Sequence, residues 1–348
     1  MRYETISIRS MLGLRFRDAT TERPVTEGLS VRVRRPTGTG PSTRAVRTVS
    51  GAYVAQGLDG LRPYERTPGD PPDPVPESRR RDHHVAVHDR RGRFVPALFT
   101  VRLPYAPEQS LNGLFPVVDP PPEEQLDGEG PPEPTVYLFS AVQRSVPAGQ
   151  AVVYADLVAE KNGARTPAAH AVLEVRHSLR SGETDGEEGG TGDPDDRQEV
   201  WFGVADADGR VAVQFPHPQV RLEELSSDDN GPGGDGPPGR GRGRSGRRPG
   251  EGTGSAAGRE GLSLLTGQRW QVEVRVRYDP SVLRTPGRAR RPLLASIFDQ
   301  GTGTLYETSD GAGTQVQTHE LSAGAPLVLR TQNRSELQIA ASPNGGSP

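Results

Sequence analysis

At 348 residues, 32% of them apolar, with 43 Gly and 34 Pro, the chain is too poor in apolar residues and too often punctuated for long helices or a membrane span. A net charge of −3 gives no field that would gather nucleic acid or an anionic membrane. The absence of cysteine excludes a disulfide framework, a thiolate metal site and a cysteine nucleophile.

The opening stretch MRYETISIRSMLGLRF carries a charge every few residues and has no apolar core, so no secretory signal is read there and a cytoplasmic location is expected. Strands are expected at 3–9 and 12–18, the second alternating Leu14 and Phe16 with Arg15 and Arg17. Leu29–Arg34 alternates again, and Val46–Ala55 reads as a hairpin. Residues 67–81 are a Pro-rich insertion that cannot hold a ladder. Strands resume at His83–Asp89 and Arg93–Leu103, with Phe94, Phe99, Val101 and Leu103 as core candidates.

Residues 119–134, DPPPEEQLDGEGPPEP, have the proline-rich, acidic composition of an interdomain linker. A second set of strands then opens with Val136–Ala141 and continues through Gln150–Val158 and His170–His177. Its plan repeats the first: ADLVAEKNGARTPAAHAVLEVR parallels FRDATTERPVTEGLSVRVRR in strand, turn, proline and strand. After an acidic, Gly-rich loop at Gly182–Asp196 comes Val200–Pro216, VWFGVADADGRVAVQFP. Its core V-x-D-x-x-G-R, from Val204 to Arg210, recurs from Val87 to Arg93 and more weakly at Val46–Tyr53, with Thr48 in place of Asp. All three read as hairpins. Residues 226–261 are low-complexity and expected to be disordered. Gln268–Arg277 is a strong strand, Pro292–Phe298 a short helix, and Pro326–Arg330 with Glu336–Ala340 a closing hairpin.

The expected architecture is therefore all-β: two antiparallel, Ig-like β-sandwich domains joined by a Pro-rich linker. Their bounds are 1–118, with the insertion 67–81, and 135–341, interrupted by 226–261; 119–134 is the linker and 342–348 a flexible tail.

No site chemistry emerges. The G-x-G-x-x-G strings at Gly231–Gly236 and Gly241–Gly246 neither follow a strand nor open a helix. The sole lysine, Lys161, sits in EKNG and precludes a P-loop. Placing Gly209 at the sixth position of a calcium loop puts Val204 first and Phe215 twelfth, both apolar, so Asp206 and Asp208 are read as turn carboxylates that accept backbone N–H groups. His84 and His88 share a strand face about 13 Å apart, too far for one metal ion, while His83 faces the other way with Val85, Val87 and Asp89. His170, His177 and His217 are scattered, and no Ser–His–Asp grouping follows from spacing. Arg240–Arg248 is a basic Gly/Arg tract without aromatics to stack bases, read as a solvated linker. No catalytic, cofactor-binding or metal-binding residue is assigned, and no cofactor is expected.

The stretches RDATTERPVTEGLSVRV and RTVSGAYVAQGLDGL resemble the transthyretin-like, carboxypeptidase regulatory-like β-sandwich family. That resemblance implies a seven-stranded module serving folding, adhesion or docking rather than catalysis. A second likeness rests on LGLRFRDATTERPV, FVPALFTVRLP, VPAGQAVVYADL, AAHAVLEVR and APLVLRTQNRSELQI, and is to accessory proteins of phage-tail-like contractile injection systems. It implies a structural or assembly component of a particle, with other proteins as partners. The resulting expectation is a non-enzymatic structural or interaction protein that binds neither membrane nor nucleic acid. The alternative is a carbohydrate- or other ligand-binding sandwich, suggested by Trp201, Trp270, Tyr278 and Tyr306.

Overall fold

Alternation organises the first strand, β1 (Leu12–Asp18): Leu12, Leu14, Phe16 and Asp18 are buried and the residues between them exposed. The same period buries Leu29, Val31 and Val33 of β2 (Leu29–Arg34). The computed structural model describes residues 10–36, 41–61, 80–103, 135–161, 164–177, 199–217, 269–287, 289–308 and 311–341. The expected strand at 3–9, the glycine-rich strings, the tract 240–248 and the segments 119–134, 182–196, 226–261 and 342–348 lie outside these residues, as does nearly all of 67–81.

The chain continues through β3 (Thr43–Arg44), β4 (Val46–Arg47), β5 (Tyr53–Ala55), β6 (Arg81–Asp89), β7 (Ala97–Leu103) and β8 (Thr135–Leu138). These strands make two facing sheets, β4-β5-β1-β8 and β3-β2-β6-β7. Between them lies a core that includes Leu14, Phe16, Tyr53, Val85, Phe99 and Val136.

The assignment of Val136–Ala141 to the second half is corrected here. Residues Thr135–Leu138 pair in parallel with Arg15–Asp18, so β8 closes the first sandwich. Val136 and Leu138 match the apolar face of β1, and burial there outweighs nearness in sequence to the following strands. Segment 119–134 therefore joins two strands of one sandwich, β7 and β8, and the passage between sandwiches is 139–149.

The second set comprises β9 (Gln150–Lys161), β10 (Ala164–Pro167), β11 (Val172–His177), β12 (Glu199–Val204), β13 (Arg210–Pro216), β14 (Arg269–Arg277), α1 (Leu294–Phe298), β15 (Thr304–Leu305), β16 (Gln317–Ser322), β17 (Leu327–Leu329) and β18 (Leu337–Ala340). One sheet is β12-β11-β14-β16. The other is built on β9: β13 and β17 flank its first half, β10 and β18 its second. A separate core holds Val153, Leu157, Leu173, Val213, Phe215, Val274 and Leu305.

The repeated plan is present in strand order. In each sandwich the first strand lies between an antiparallel middle strand and a parallel final one. The facing sheets, β3-β2-β6-β7 and β12-β11-β14-β16, have the same antiparallel sequence of positions. The closing hairpin is corrected: β17 and β18 both run parallel to β9, so they follow one another along its edge. Thr331, fully buried, supports the excursion between them, donating from Oγ1 to the Tyr306 carbonyl (2.8 Å) and accepting the Gln338 N–H (2.8 Å).

Candidate functional site

The aspartate turns are the first candidates. Asp206 Oδ1 accepts the N–H groups of Asp208 (2.9 Å) and Arg210 (3.0 Å), and its carbonyl accepts that of Gly209 (3.1 Å). Asp208 is exposed and pairs with Arg210 at 2.8 Å. Asp89 repeats the device, with Arg93 N–H at 2.7 Å, Arg91 N–H at 3.3 Å and the Arg93 guanidinium Nε at 3.0 Å. Burial would raise the Asp89 carboxyl, but Arg93 and the two backbone donors hold it below the usual carboxylate range. These carboxylates are occupied in shaping the backbone.

The hairpin reading of Val200–Pro216 does not hold. Its arms, β12 and β13, belong to different sheets, pairing with β11 and β9 respectively. The stretch is a corner that carries the chain across the sandwich. Gly209 makes the corner, at φ +79° and with a notional Cβ 2.4 Å from the Leu157 carbonyl oxygen. The hairpin readings at β4–β5 and β6–β7 do hold.

Histidines 83 and 84 are both buried, on opposite faces of β6, and His88 is exposed. His83 Nδ1 lies 3.0 Å from the Arg81 carbonyl. Burial pulls both imidazoles below their ordinary pKa, with Arg34 adding to the effect at His84. His170 and His177 lie near opposite ends of the second sandwich, and His217 packs its ring on Trp270 (centroids 5.4 Å). Among the described residues, no three His, Cys, Asp or Glu side chains converge as a metal-ligand set. Trp201 stacks on buried Phe215 (4.7 Å), and Trp201 and Trp270 both pack against the second core. Tyr278 is buried too. These three rings form no exposed sugar-binding platform.

The most developed polar constellation was not visible in the sequence. It lies at the seam between the sandwiches. Arg144, in the 139–149 passage, binds both carboxylate oxygens of Asp18 at the end of β1 (3.0 and 2.5 Å). The two side chains are only 11% and 7% exposed. Arg144 also donates to Ser140 Oγ (2.9 Å), while Gln214 on β13 donates to the Arg144 carbonyl (3.2 Å). Asp18 further accepts the Thr20 N–H and the Thr21 hydroxyl, each at 2.9 Å. Burial alone would raise the Asp18 carboxyl; Arg144 and these donors instead hold it below the usual range. Phe94 is clasped between the guanidinium groups of Arg93 and Arg144, at 5.1 and 5.0 Å.

Beside this polar latch lies an apolar contact. Phe298 of α1 meets Phe139 (5.2 Å) and Phe202 (6.1 Å). Leu294, Ile297, Val172 and Val204 join the first sandwich's core across the seam. On the same face of the second sandwich, buried Glu174 pairs with Arg176 and Arg277, and Arg277 sits over Phe202. The cleft at the seam leaves about 10 Å³, room for about one water molecule and too little for a substrate.

Asp18 and Arg144 are 126 residues apart, and no periodicity or motif links them. The only sequence signal was a charged residue closing each of two buried strands, Asp18 and Asp89, where an apolar residue would fit the alternation.

No family model matches this chain, and no curated protein matches it. Among solved structures, the minor pilin GBS52 of Streptococcus agalactiae is similar at 7% identity, over 97% of this chain and 98% of that one, with a TM-score of 0.21. A putative adhesin from Bacteroides ovatus is 10% identical over 99% and 95%, with a TM-score of 0.20. The Bacillus anthracis TIE protein is 6% identical over 89% of this chain and 43% of that one, with a TM-score of 0.18. Superpositions this loose fix neither a family nor a role for this chain.

Proposed function

We propose that the chain is a non-enzymatic structural or interaction protein made of two sandwich units, about residues 10–138 and 150–341, held as one body by the 139–149 passage. One observation carries this reading: the most buried ion pair among the described residues, Asp18–Arg144, ties the end of β1 to the passage, whose Arg144 carbonyl in turn accepts from Gln214 of the second unit, and it faces no cavity. Catalysis needs charged groups aimed at a space a substrate can enter. Here the buried charges close turns, neutralise one another and lock the seam.

The finer reading is an accessory or assembly component of a phage-tail-like contractile injection particle. It is supported by the sequence likeness noted above and by a body that exposes several sheet edges to protein partners. The transthyretin-like relationship is likewise proposed, and the strand order shared by the two units supports it. The test is to express the tagged chain with its neighbouring genes and sediment any tail-like particles. The chain is expected in the particle fraction in fixed ratio to the tube and sheath subunits. A chain that stays wholly in the supernatant while intact particles pellet overturns the particle reading.

A further inference from the structure

The outer face of the sheet β3-β2-β6-β7 carries an excess of cations, its described acid, Asp82, lying beside Arg102. Arg32 of β2 stands directly opposite Arg44 of β3, and Arg34 lies one step further along the same face of β2. Like charges opposed across strands are destabilising. Arg32 and Arg44 are exposed and Arg34 half-buried. The acids nearby are already engaged, Asp82 with Arg102 and Asp59 with Arg35. No described carboxylate pairs with Arg32, Arg34 or Arg44, and His88 adds an exposed imidazole to the face.

We propose that the occupant of this face is the chain's own acidic stretch 119–134. That stretch holds Asp119, Glu123, Glu124, Asp127, Glu129 and Glu133 and not one basic residue. Its position in the fold gives the second argument. It belongs to the connection from β7 to β8, so both its ends are anchored on this sandwich. Strands β2 and β7 run the same way, each antiparallel to β6, so the connection leaves Leu103 at the end of the sheet where Arg34 lies. The two points are about 14 Å apart, two strand spacings across and three residues along. Fifteen residues, 104–118, separate Leu103 from the acidic stretch, a typical span of about 22 Å, which reaches every arginine of the face. Tethering makes the encounter intramolecular, which favours this stretch over a free polyanion.

The chain has no cysteine, so Leu126→Cys gives a unique attachment point for a nitroxide label on the full-length protein. At about 20 mM salt the label should broaden amide signals of residues 30–34, 43–44 and 84–88, and at about 500 mM, where the Debye length is only about 4 Å, that broadening should vanish. Charge-neutral Arg32→Gln/Arg34→Gln/Arg44→Gln should abolish it at low salt, and unchanged signals elsewhere would show that the sandwich is intact. The inference is overturned if low salt produces no broadening on this face, as when the face is reserved for an external polyanion. It is equally overturned if the broadening survives the triple substitution.

Discussion

Replacing Arg144 by Met tests whether the seam holds the two sandwiches together. The substitution removes the guanidinium while keeping an unbranched side chain against Phe94. It leaves the Asp18 carboxylate, 7% exposed, with the Thr20 N–H and the Thr21 hydroxyl as its remaining partners. Stranding one member of a buried pair costs about 3–5 kcal/mol, and the two surviving donors place this case near the lower end, about 3 kcal/mol. Both tryptophans, Trp201 and Trp270, lie in the second sandwich, so their fluorescence reports that unit while circular dichroism reports both. In urea the two signals should coincide for the wild-type chain and separate for Arg144→Met, with the dichroism falling first. Adding Asp18→Asn removes the stranded charge and should restore more than half of the loss. The pH dependence has a defined sign. Because the folded Asp18 pKa is depressed, the pair stabilises fully above the unfolded value near 3.8 and loses its effect as pH falls through the folded value. Wild type and Arg144→Met should therefore converge in acid. A cost under about 1 kcal/mol, with the two signals still coincident, would refute a mechanical role for the latch.

Gly209→Ala should cost at least about 2 kcal/mol in urea melts, because φ is positive and the added methyl meets the Leu157 carbonyl; a neutral result would mean the corner relaxes freely. His83, His84, His170, His177, His217 and His319 all have pKa values lowered by burial. The folded state therefore prefers them neutral, so their contribution is full above about pH 6.5 and is lost as pH falls through the folded values. Tm should drop by several degrees between about pH 7.5 and 5.5, and a flat profile would contradict burial of these rings.

The strands were legible wherever one face is buried, because a two-residue period is then written in the side chains. Leu12–Asp18 and Leu29–Arg34 appear with the same bounds in sequence and structure. Strand β16, QTHELS, was missed because only Leu321 is buried in it. Pairing was far less legible. Leu327–Leu329 and Leu337–Ala340 look like hairpin arms, yet both lie parallel to β9, and their direction depends on Thr331 and Tyr306 rather than on their own residues. The internal repeat gives the sharpest case. The closest copy of V-x-D-x-x-G-R, at Val87, sits between β6 and β7, a different position in the plan. The weak echo at Val46 is the one that matches the corner: Thr48 N–H donates to Ala52 and Gly51 to Thr48, as Asp206 donates to Arg210 and Gly209 to Asp206. Neither signal reads out topology: the Val46 turn joins paired strands β4 and β5, whereas the corner joins β12 and β13 of different sheets. The seam could not be read because long-range polar pairs leave no period.

Where the long connections fall completes the picture. At the seam end two joints are short, β1 to β2 and β12 to β13, while the passage from β8 runs on to Gln150, level with Pro216. The seam contacts Val172, Val204 and Arg277 sit at one end of their strands, and His177, Glu199 and Arg269 sit at the other. The longest connections, from His177 to Glu199 and from Pro216 to Arg269, attach at that far end. In the first sandwich, those from Ala55 to Arg81 and from Leu103 to Thr135 do likewise. Tight joints are kept where the two units must dock, and length is tolerated where nothing in the sandwich depends on it. Loop-closure entropy sets the consequence. Removing 226–255 shortens the connection between β13 and β14 from 52 to 22 residues, which should stabilise the fold by about 0.8 kcal/mol through the logarithmic dependence on loop length. The deleted chain should therefore melt no lower than wild type while keeping coincident fluorescence and dichroism transitions. A fall of more than about 2 kcal/mol would show that the segment packs on the sandwich and belongs to the fold itself.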